Sequence, residues 1–398
     1  MAAPTALPLH MQRDRFDPPA RMADLRGRPG LERVTTPLGL TAWLVTRYAD
    51  VREVLGDATR FSSAGLPALP GSDDDQRAGN LLMIDPPEHT RLRRLLTGEF
   101  TVKRIRRLQP RVSEIVTDHL DAMAQAGPPA DLVEQFALPI PSLVICELLG
   151  VPYADRAEFH RRASVQLDLT RPLSERGAVA SESRAYMGTL VDRARAEPGE
   201  DMLGMLVREH GDDLTRAELV GVASLLLIAG HETTANMLSL GTLALLENPE
   251  QAATVRDDPE ATAPAVEELM RFLSVVHSGV PRRVTRDTDV AGSPVSAGDL
   301  LVVSLPSADR DRALVEDPDR LDVGRGRASG ATGSGPASHH VAFGHGVHHC
   351  LGAPLARMEM ATAFPALLRR FPALAVAGEP EFRSAAVVYG LRHLPVTW

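Results

Sequence analysis

The sequence predicts a mainly α fold with small β sheets, and three features carry that expectation. Apolar residues recur at three- and four-residue spacing along most of the chain, mostly with polar or charged residues between them. Strand-like runs are short and confined to the beginning and to the region after residue 280. No alternating strand–helix series is present of the kind that builds a doubly wound parallel sheet.

In order along the chain, residues 40–46 read as the first strand. Residues 62–80 read as a loop, with Gly65, Gly71, Gly79, Pro67 and Pro70 around the acidic run Asp73-Asp74-Asp75. Helical periodicity follows over 112–126, 142–149 and 183–196, and then over a long stretch, 215–247. Strand-like pieces come at 289–290 and 300–304, bracketed by Ala291-Gly292-Ser293-Pro294 and Ala297-Gly298-Asp299. Residues 324–338 read as a Gly-rich surface loop; its Gly-x-Gly has no clear helix after it to serve a phosphate. An amphipathic helix over 354–370 follows.

Composition excludes several function classes. The 398 residues include two cysteines, too few for a disulfide scaffold. Lys and Arg total 43, with Lys103 the single lysine, against 52 Asp and Glu, and the net charge of −9 argues against a nucleic-acid partner. The stretch Met1–Pro19 is interrupted by Pro4, Pro8 and Pro18 and does not read as a signal peptide. The longest nearly apolar run, 219–230, is shorter than the roughly 20 residues a bilayer span needs. A soluble, cytoplasmic protein with no membrane association is expected. Length alone, at about 150 residues per domain, suggests two or three domains or one large one.

The 215–247 helix changes character at its centre. Thr215-Arg216-Ala217-Glu218 has the spacing of a capping box, and Asn248-Pro249 closes the helix. Between Leu225-Leu226-Leu227-Ile228 and Met237-Leu238 stands Ala229-Gly230-His231-Glu232-Thr233-Thr234. Gly230 costs about 1 kcal/mol relative to Ala in a helix interior. Glu232 in an apolar helix is expensive unless paired or wetted. Thr233 and Thr234 can turn their hydroxyls onto carbonyls four residues back and distort the helix. Such local defects are where function is expected, the alternative being a kink with a solvent-facing polar patch. His231-Glu232 opens like the zinc-protease helix, but Ala235 stands where the second His is needed.

A second cluster is Phe343-Gly344-His345-Gly346-Val347-His348-His349-Cys350-Leu351-Gly352, with His339 and His340 just before it. Pro354 suits the first turn of the helix that follows, so Cys350 lies near a helix N-terminus, where thiolate is favoured. Three readings are open for Cys350: a zinc ligand with histidines, a catalytic nucleophile, or a single thiolate ligand to haem iron. Zinc lacks a Cys-x-x-Cys partner, and the nucleophile lacks an identifiable family signature. Covalent haem attachment through Cys-x-x-Cys-His is excluded by the missing first Cys.

Here the chain resembles the cytochrome P-450 family of haem-thiolate monooxygenases. Phe343, Gly346, Cys350 and Gly352 complete the family's Phe-x-x-Gly-x-x-x-Cys-x-Gly pattern. Ala229–Thr234 is similar to the oxygen-binding helix segment, and Glu268-Leu269-Met270-Arg271 to the Glu-x-x-Arg helix. Asp317-Pro318-Asp319-Arg320 is similar to the loop whose arginine completes a network with that pair. Asp85–Arg93 and Tyr389–Val396 are similar to segments of soluble bacterial members, so the resemblance spans essentially the whole chain. Cys146 matches no functional position and reads as core.

The resemblance implies one unit over residues 1–398, with haem between the long helix and the cysteine loop. Cys350 is then the proximal thiolate to iron of heme b (iron protoporphyrin IX), and Phe343, Gly344 and Gly352 belong to its loop. Glu232 and Thr233 are the distal catalytic pair, relaying protons with water during oxygen activation. His89, Arg93 and His348 match propionate-binding positions; of Arg282-Arg283, the second fits better, because Arg283-Val284-Thr285 looks like the start of the family's strand. Ala229 and Gly230 leave room for O2 and substrate. Insertion of one oxygen atom into a small hydrophobic organic substrate, by hydroxylation or epoxidation, is implied, with a place in secondary metabolism. Electrons are expected from a ferredoxin and its reductase on separate chains, with Arg91, Arg94, Lys103, Arg104, Arg106 and Arg107 as a docking face, and a monomeric enzyme. Peroxygenase chemistry, desaturation, and haem binding without turnover are the alternatives within haem chemistry; a zinc hydrolase is the alternative outside it. Expected pocket walls are 81–82, 166–170, 226–229, 275–280 and 387–388. Two departures from the family pattern stand out: Asp309 at a position usually Asn, and the length of the 324–338 loop.

Overall fold

The computed structural model describes residues 7–64, 77–325 and 339–398. It is mainly helical with small sheets, as the periodicity predicts. The helices that frame the site are α1 (Glu88–Thr97), α2 (Val102–Ala126), α3 (Pro139–Leu149), α4 (Arg156–Leu167), α5 (Leu173–Ala196), α6 (Arg216–Leu246), α7 (Thr262–Leu273) and α8 (Ala353–Arg370). The long α6 packs along α3, α5 and α8, while α8 also packs on α2 and α7. Their apolar faces share one core, to which Leu226, Leu238, Leu240 and Leu243 of α6 and Leu355, Phe364 and Leu367 of α8 contribute.

The largest sheet joins β1 (Glu32–Thr35), β2 (Thr41–Val45), β3 (Phe61–Ser62), β4 (Val280–Val284) and β5 (Leu300–Val303) in the order β1-β2-β5-β4-β3. Strands β2 and β5 run parallel, and the other pairs antiparallel. Val45, Phe61, Val284, Leu301 and Val303 form a second, smaller core beneath it. Most of the expected 62–80 loop, and nearly all of the 324–338 loop, lie outside the described residues.

The limits of α6 follow from local chemistry. Glu218 N–H donates to Thr215 Oγ1 at 3.2 Å, and Thr215 N–H donates to a Glu218 carboxylate oxygen at 2.8 Å, closing the capping box. At 31 residues, the helix is about 46 Å long. The expected distortion at Thr233 does not break it: its hydroxyl donates to the Ala229 carbonyl at 2.6 Å, and the helix runs on without interruption. Two helices begin ten residues earlier than their periodicity suggests. Helix α2 starts at a Thr101 cap and carries Pro110 in its interior, and α5 starts after Pro172 with few buried residues in its first turns.

One polar feature lies wholly inside the core. Glu268 and Arg271 of α7 are both 0 % exposed, so they are not the ordinary surface pair their spacing would make. Arg271 Nε and Nη2 each donate to a Glu268 oxygen at 2.8 Å. Its Nη1 donates to the carbonyls of Asp309 at 2.9 Å and Pro318 at 2.8 Å. The third member differs from expectation. Arg325, not Arg320, pairs with Glu268, at 3.2 Å. Arg320 contributes a carbonyl and turns its own side chain outward to Asp322.

Breaking a buried pair leaves an uncompensated charge. Arg271→Ala should therefore lower the unfolding free energy by about 3–5 kcal/mol, read from urea midpoints. Arg320→Ala, at an exposed side chain, should change it by less than about 0.5 kcal/mol.

Candidate active site

The cysteine loop is shaped by backbone that only small residues tolerate. Gly344 and Gly346 have φ of +74° and +70°. A Cβ on Gly346 would come within 2.4 Å of the Leu55 carbonyl oxygen, so this position admits no side chain. Gly344 N–H donates to Val341 O at 2.7 Å, and Cys350 N–H donates to Phe343 O at 2.8 Å, which folds the loop back on itself. Phe343 is clamped from outside by Arg357, whose guanidinium lies 4.5 Å from the ring centroid and pairs with Glu267.

Cys350 stands two residues before Gly352, the N-cap of α8. Protein surrounds its thiol on most sides, yet it stays open to solvent, so it lines a cleft. Burial pushes the thiol pKa up; the backbone N–H groups of Gly352 and Ala353 and the charges of Arg93 and Arg357 act the other way without overcoming it. The helix terminus thus acts to lower the thiol pKa as expected, but less strongly than burial raises it. Cys146, in contrast, is core: it is buried in α3 and its thiol is pushed up to about 11.

Beside the loop a cluster of nitrogen donors converges. The His89 and His348 rings lie 4.3 Å apart. His89 is buried with neither ring nitrogen hydrogen-bonded among the described residues. Burial, then the positive charge of Arg282 and the neighbouring His89, hold His348 down at about 4. Burial pushes the Arg93 pKa down, and the nearby Cys350 sulfur acts the other way. The expected arginine is corrected by strand geometry. Successive residues of β4 point to opposite faces. Arg282 is buried within this cluster, pushed down to about 10 by desolvation. Arg283 instead donates to Gly298 O at 2.8 Å on the other face. The acid nearest this cluster, Asp85, already accepts from Ser63 N–H at 2.9 Å. Arg282 donates to Pro281 O at 2.8 Å and His348 pairs with Ser63 Oγ at 3.2 Å, but His89 has no partner for either nitrogen among the described residues, so this cationic cluster suits an anionic group. A flat, carboxylate-bearing macrocycle held by a cysteine, such as haem, fits these residues, and Gly352 offers it a surface where a Cβ would meet nothing.

The other expected site residues lie on α6, the helix that packs on α8. Ala229 is exposed and Gly230 and Thr233 are half-buried, in a helix buried on either side of them, so they line an opening. A Cβ on Gly230 would press on Ile145 of α3 at 3.0 Å. Glu232 is 0 % exposed. Arg383 Nη1 donates to its Oε2 at 3.1 Å, while Oε1 has no partner among the described residues. Burial raises the Glu232 pKa, but His231, Arg383 and His160 outweigh it and hold the carboxyl below its ordinary value. His231 is itself held down at about 4 by burial. Sequence reasoning missed His160 and Arg383; neither stands in a motif.

Three of the five expected pocket segments are knitted together by backbone. Val387 N–H donates to Leu167 O at 2.9 Å, Leu169 N–H to Ala385 O at 3.0 Å, and Tyr389 N–H to Val275 O at 2.8 Å. Residues 385–389 thus run between 167–169 and 275–278. In the expected basic face, Arg91 is committed to Glu218 and Arg104 to Glu99. Arg94, Lys103, Arg106 and Arg107 remain exposed on α1 and α2.

Asp309 anchors the approach to the loop. Its Oδ1 accepts from Val341 N–H at 2.7 Å, and burial pushes its carboxyl up to about 6. The folded protein therefore binds this proton more tightly than the unfolded chain does. The associated stability is fully present below about pH 4 and lost as pH rises through about 6. Asp309→Asn keeps an oxygen for Val341 and removes the charge. It should stabilise the protein near pH 7 by about 2–3 kcal/mol and flatten the decline between about pH 4 and 7. Urea midpoints across that range check this; a variant with the parent's profile would contradict it.

Comparison with known proteins agrees with this geometry. The cytochrome P450 family model matches residues 192–384. The chain is 47% identical to cytochrome P450 FAS1 of Rhodococcoides fascians, over 100% of both chains. It is 43% identical to pentalenic acid synthase of Streptomyces avermitilis, over 100% of this chain and 98% of that one. Among solved structures, CYP105P1 in complex with filipin I superposes with a TM-score of 0.90 at 39% identity, covering 100% of this chain and 99% of that one. P450 StaH from glycopeptide antibiotic A47934 biosynthesis gives 0.86 at 44% identity, covering 99% and 100%.

Proposed function

Because the chain belongs to the cytochrome P450 family, whose members are haem-thiolate monooxygenases, we propose that it inserts one atom of O2 into an apolar organic substrate, with Cys350 as the thiolate ligand. The observation that carries this reading is the convergence of His89, Arg93, Arg282 and His348 on the loop of Cys350. Bound haem supplies an iron whose thiolate ligand favours O–O cleavage. His89, Arg93, Arg282 and His348 would hold its carboxylates through charge-assisted bonds. Gly344 and Gly352 would add no side chain against it, and Phe343, whose carbonyl accepts Cys350 N–H, would fix the loop that holds it.

On the other side, Ala229 and Gly230 leave space for O2 and substrate. Thr233 donates its one hydroxyl proton to Ala229 O, which leaves oxygen lone pairs to accept from a donor in the opening. Glu232 moves a proton at Oε1, while Arg383 holds Oε2. The substrate pocket is assigned to 226–229 together with the segments that 385–389 joins. Their mostly apolar side chains favour a hydrophobic and bulky compound. Relatives named for pentalenic acid synthesis and vitamin D3 dihydroxylation, and a structural neighbour named as a mycinamicin C21 methyl hydroxylase, support a hydroxylation in secondary metabolism.

We assign the whole chain to one haem-binding unit acting as a cytoplasmic monomer. No helix among the described residues is long and apolar enough to cross a membrane. Its electrons come from a separate ferredoxin and reductase. An acidic donor would meet Arg94, Lys103, Arg106 and Arg107, four exposed cations of α1 and α2.

Two substitutions test the assignments. Reduced, CO-treated protein should show the red-shifted Soret band of a thiolate-ligated haem, and Cys350→Ser should lose it; retention of the band would remove Cys350 from the ligand role. Thr233→Ala should bind haem normally but divert electrons to peroxide, lowering product per NAD(P)H by roughly tenfold or more. Peroxide assays with any compound that shifts the haem spin state measure this, and unchanged coupling would remove Thr233 from proton handling.

A further inference from the structure

A second set of ligating atoms gathers on the α4 side of α6. His231 and Glu232 are neighbours on α6, and His160 reaches them from α4. One ligand atom from each of the three lies within 4.8 Å of the other two. The His160 and His231 rings stand nearly perpendicular, at 88°, with centroids 5.0 Å apart. His231 Nδ1 is 3.9 Å from Glu232 Oε1. His231 and Glu232 are both 0 % exposed. Both nitrogens of His231, Nδ1 of His160 and Oε1 of Glu232 have no hydrogen-bond partner among the described residues. Four buried, unpartnered polar atoms in one place call for a common partner.

We propose that His160, His231 and Glu232 form a binding site for a divalent transition-metal ion of the zinc class. Two imidazole nitrogens and one carboxylate oxygen suit such an ion, whereas magnesium and calcium take oxygen ligands. Side-chain rotations would have to draw these atoms, now within 4.8 Å of one another, to the about 2.0–2.2 Å from the ion that zinc requires, with a water as fourth ligand. Arg383 supplies the outer support a ligating carboxylate needs: it holds Oε2 and leaves Oε1 for the ion. Phe159, whose ring centroid is 5.5 Å from that of His231, walls one side. His160 is half-buried and so marks the side from which an ion enters.

Where Glu232 handles protons as proposed above, an ion on Oε1 withdraws it, so zinc inhibits turnover. The inhibition rests on that reading; the binding does not. Zinc chloride titrated calorimetrically into the haem-loaded full chain should show one ion, and anomalous scattering at the zinc edge should place it between the three residues. His160→Ala and His231→Phe should each lose that ion while the Soret band reports an intact haem pocket. Should His231→Phe fail to fold, the half-buried His160→Ala still decides. Absence of zinc from this position, or unchanged binding in the variants, would overturn the site. Zinc bound there with turnover unchanged would uphold the site and overturn the proton role of Glu232.

Discussion

The guanidinium of Arg271 is the point from which the cysteine loop is hung. It is 0 % exposed and ties Glu268 of its own helix to the carbonyls of Asp309 and Pro318. Asp309 in turn receives Val341 N–H, Val341 receives Gly344 N–H, and Phe343 receives Cys350 N–H. A series of bonds therefore runs from the last turn of α7 to the backbone of Cys350. An ammonium could not replace this planar fork, because its donors do not point along several fixed directions at once. With no water competing, each bond holds its partner firmly, and the loop inherits that rigidity.

The site itself is built from exceptions to good core design. Helix α6 is apolar over most of its buried length, yet carries His231, Glu232 and Thr234 inside the protein. His231 and Glu232 are tolerated for different reasons. Arg383 donates to one oxygen of Glu232, and burial holds the His231 pKa down at about 4. Thr233 satisfies its donor on its own helix. Gly230 then lets Ile145 of α3 approach the helix, and Ala229 stays small at its exposed edge.

Much of this was legible in local sequence. The capping box at Thr215 and Glu218 and the Asn248-Pro249 stop bound α6 through bonds made within a few residues. The glycines around Cys350 announce a tight loop because no other residue accepts that backbone. Helix starts at Val102 and Leu173 were not legible: their first turns bury few apolar residues, so the periodic signal is weak where the helix nonetheless forms. Adjacent arginines 282 and 283 could not be told apart by type. Strand pleat and register send one into the donor cluster and the other to Gly298.

By itself, then, the sequence determined the mainly α class, the ends of the long helix, and the family through the residues around Cys350, because caps, turns and a contiguous loop are short-range chemistry. Tertiary structure alone decided which cation completes the buried network, Arg325 rather than Arg320. It alone decided which arginine of β4 joins His89, and that His160 and Arg383 meet Glu232. These pairings join residues tens to hundreds of positions apart, and their energies depend on burial and direction, neither of which a residue carries until the chain has packed.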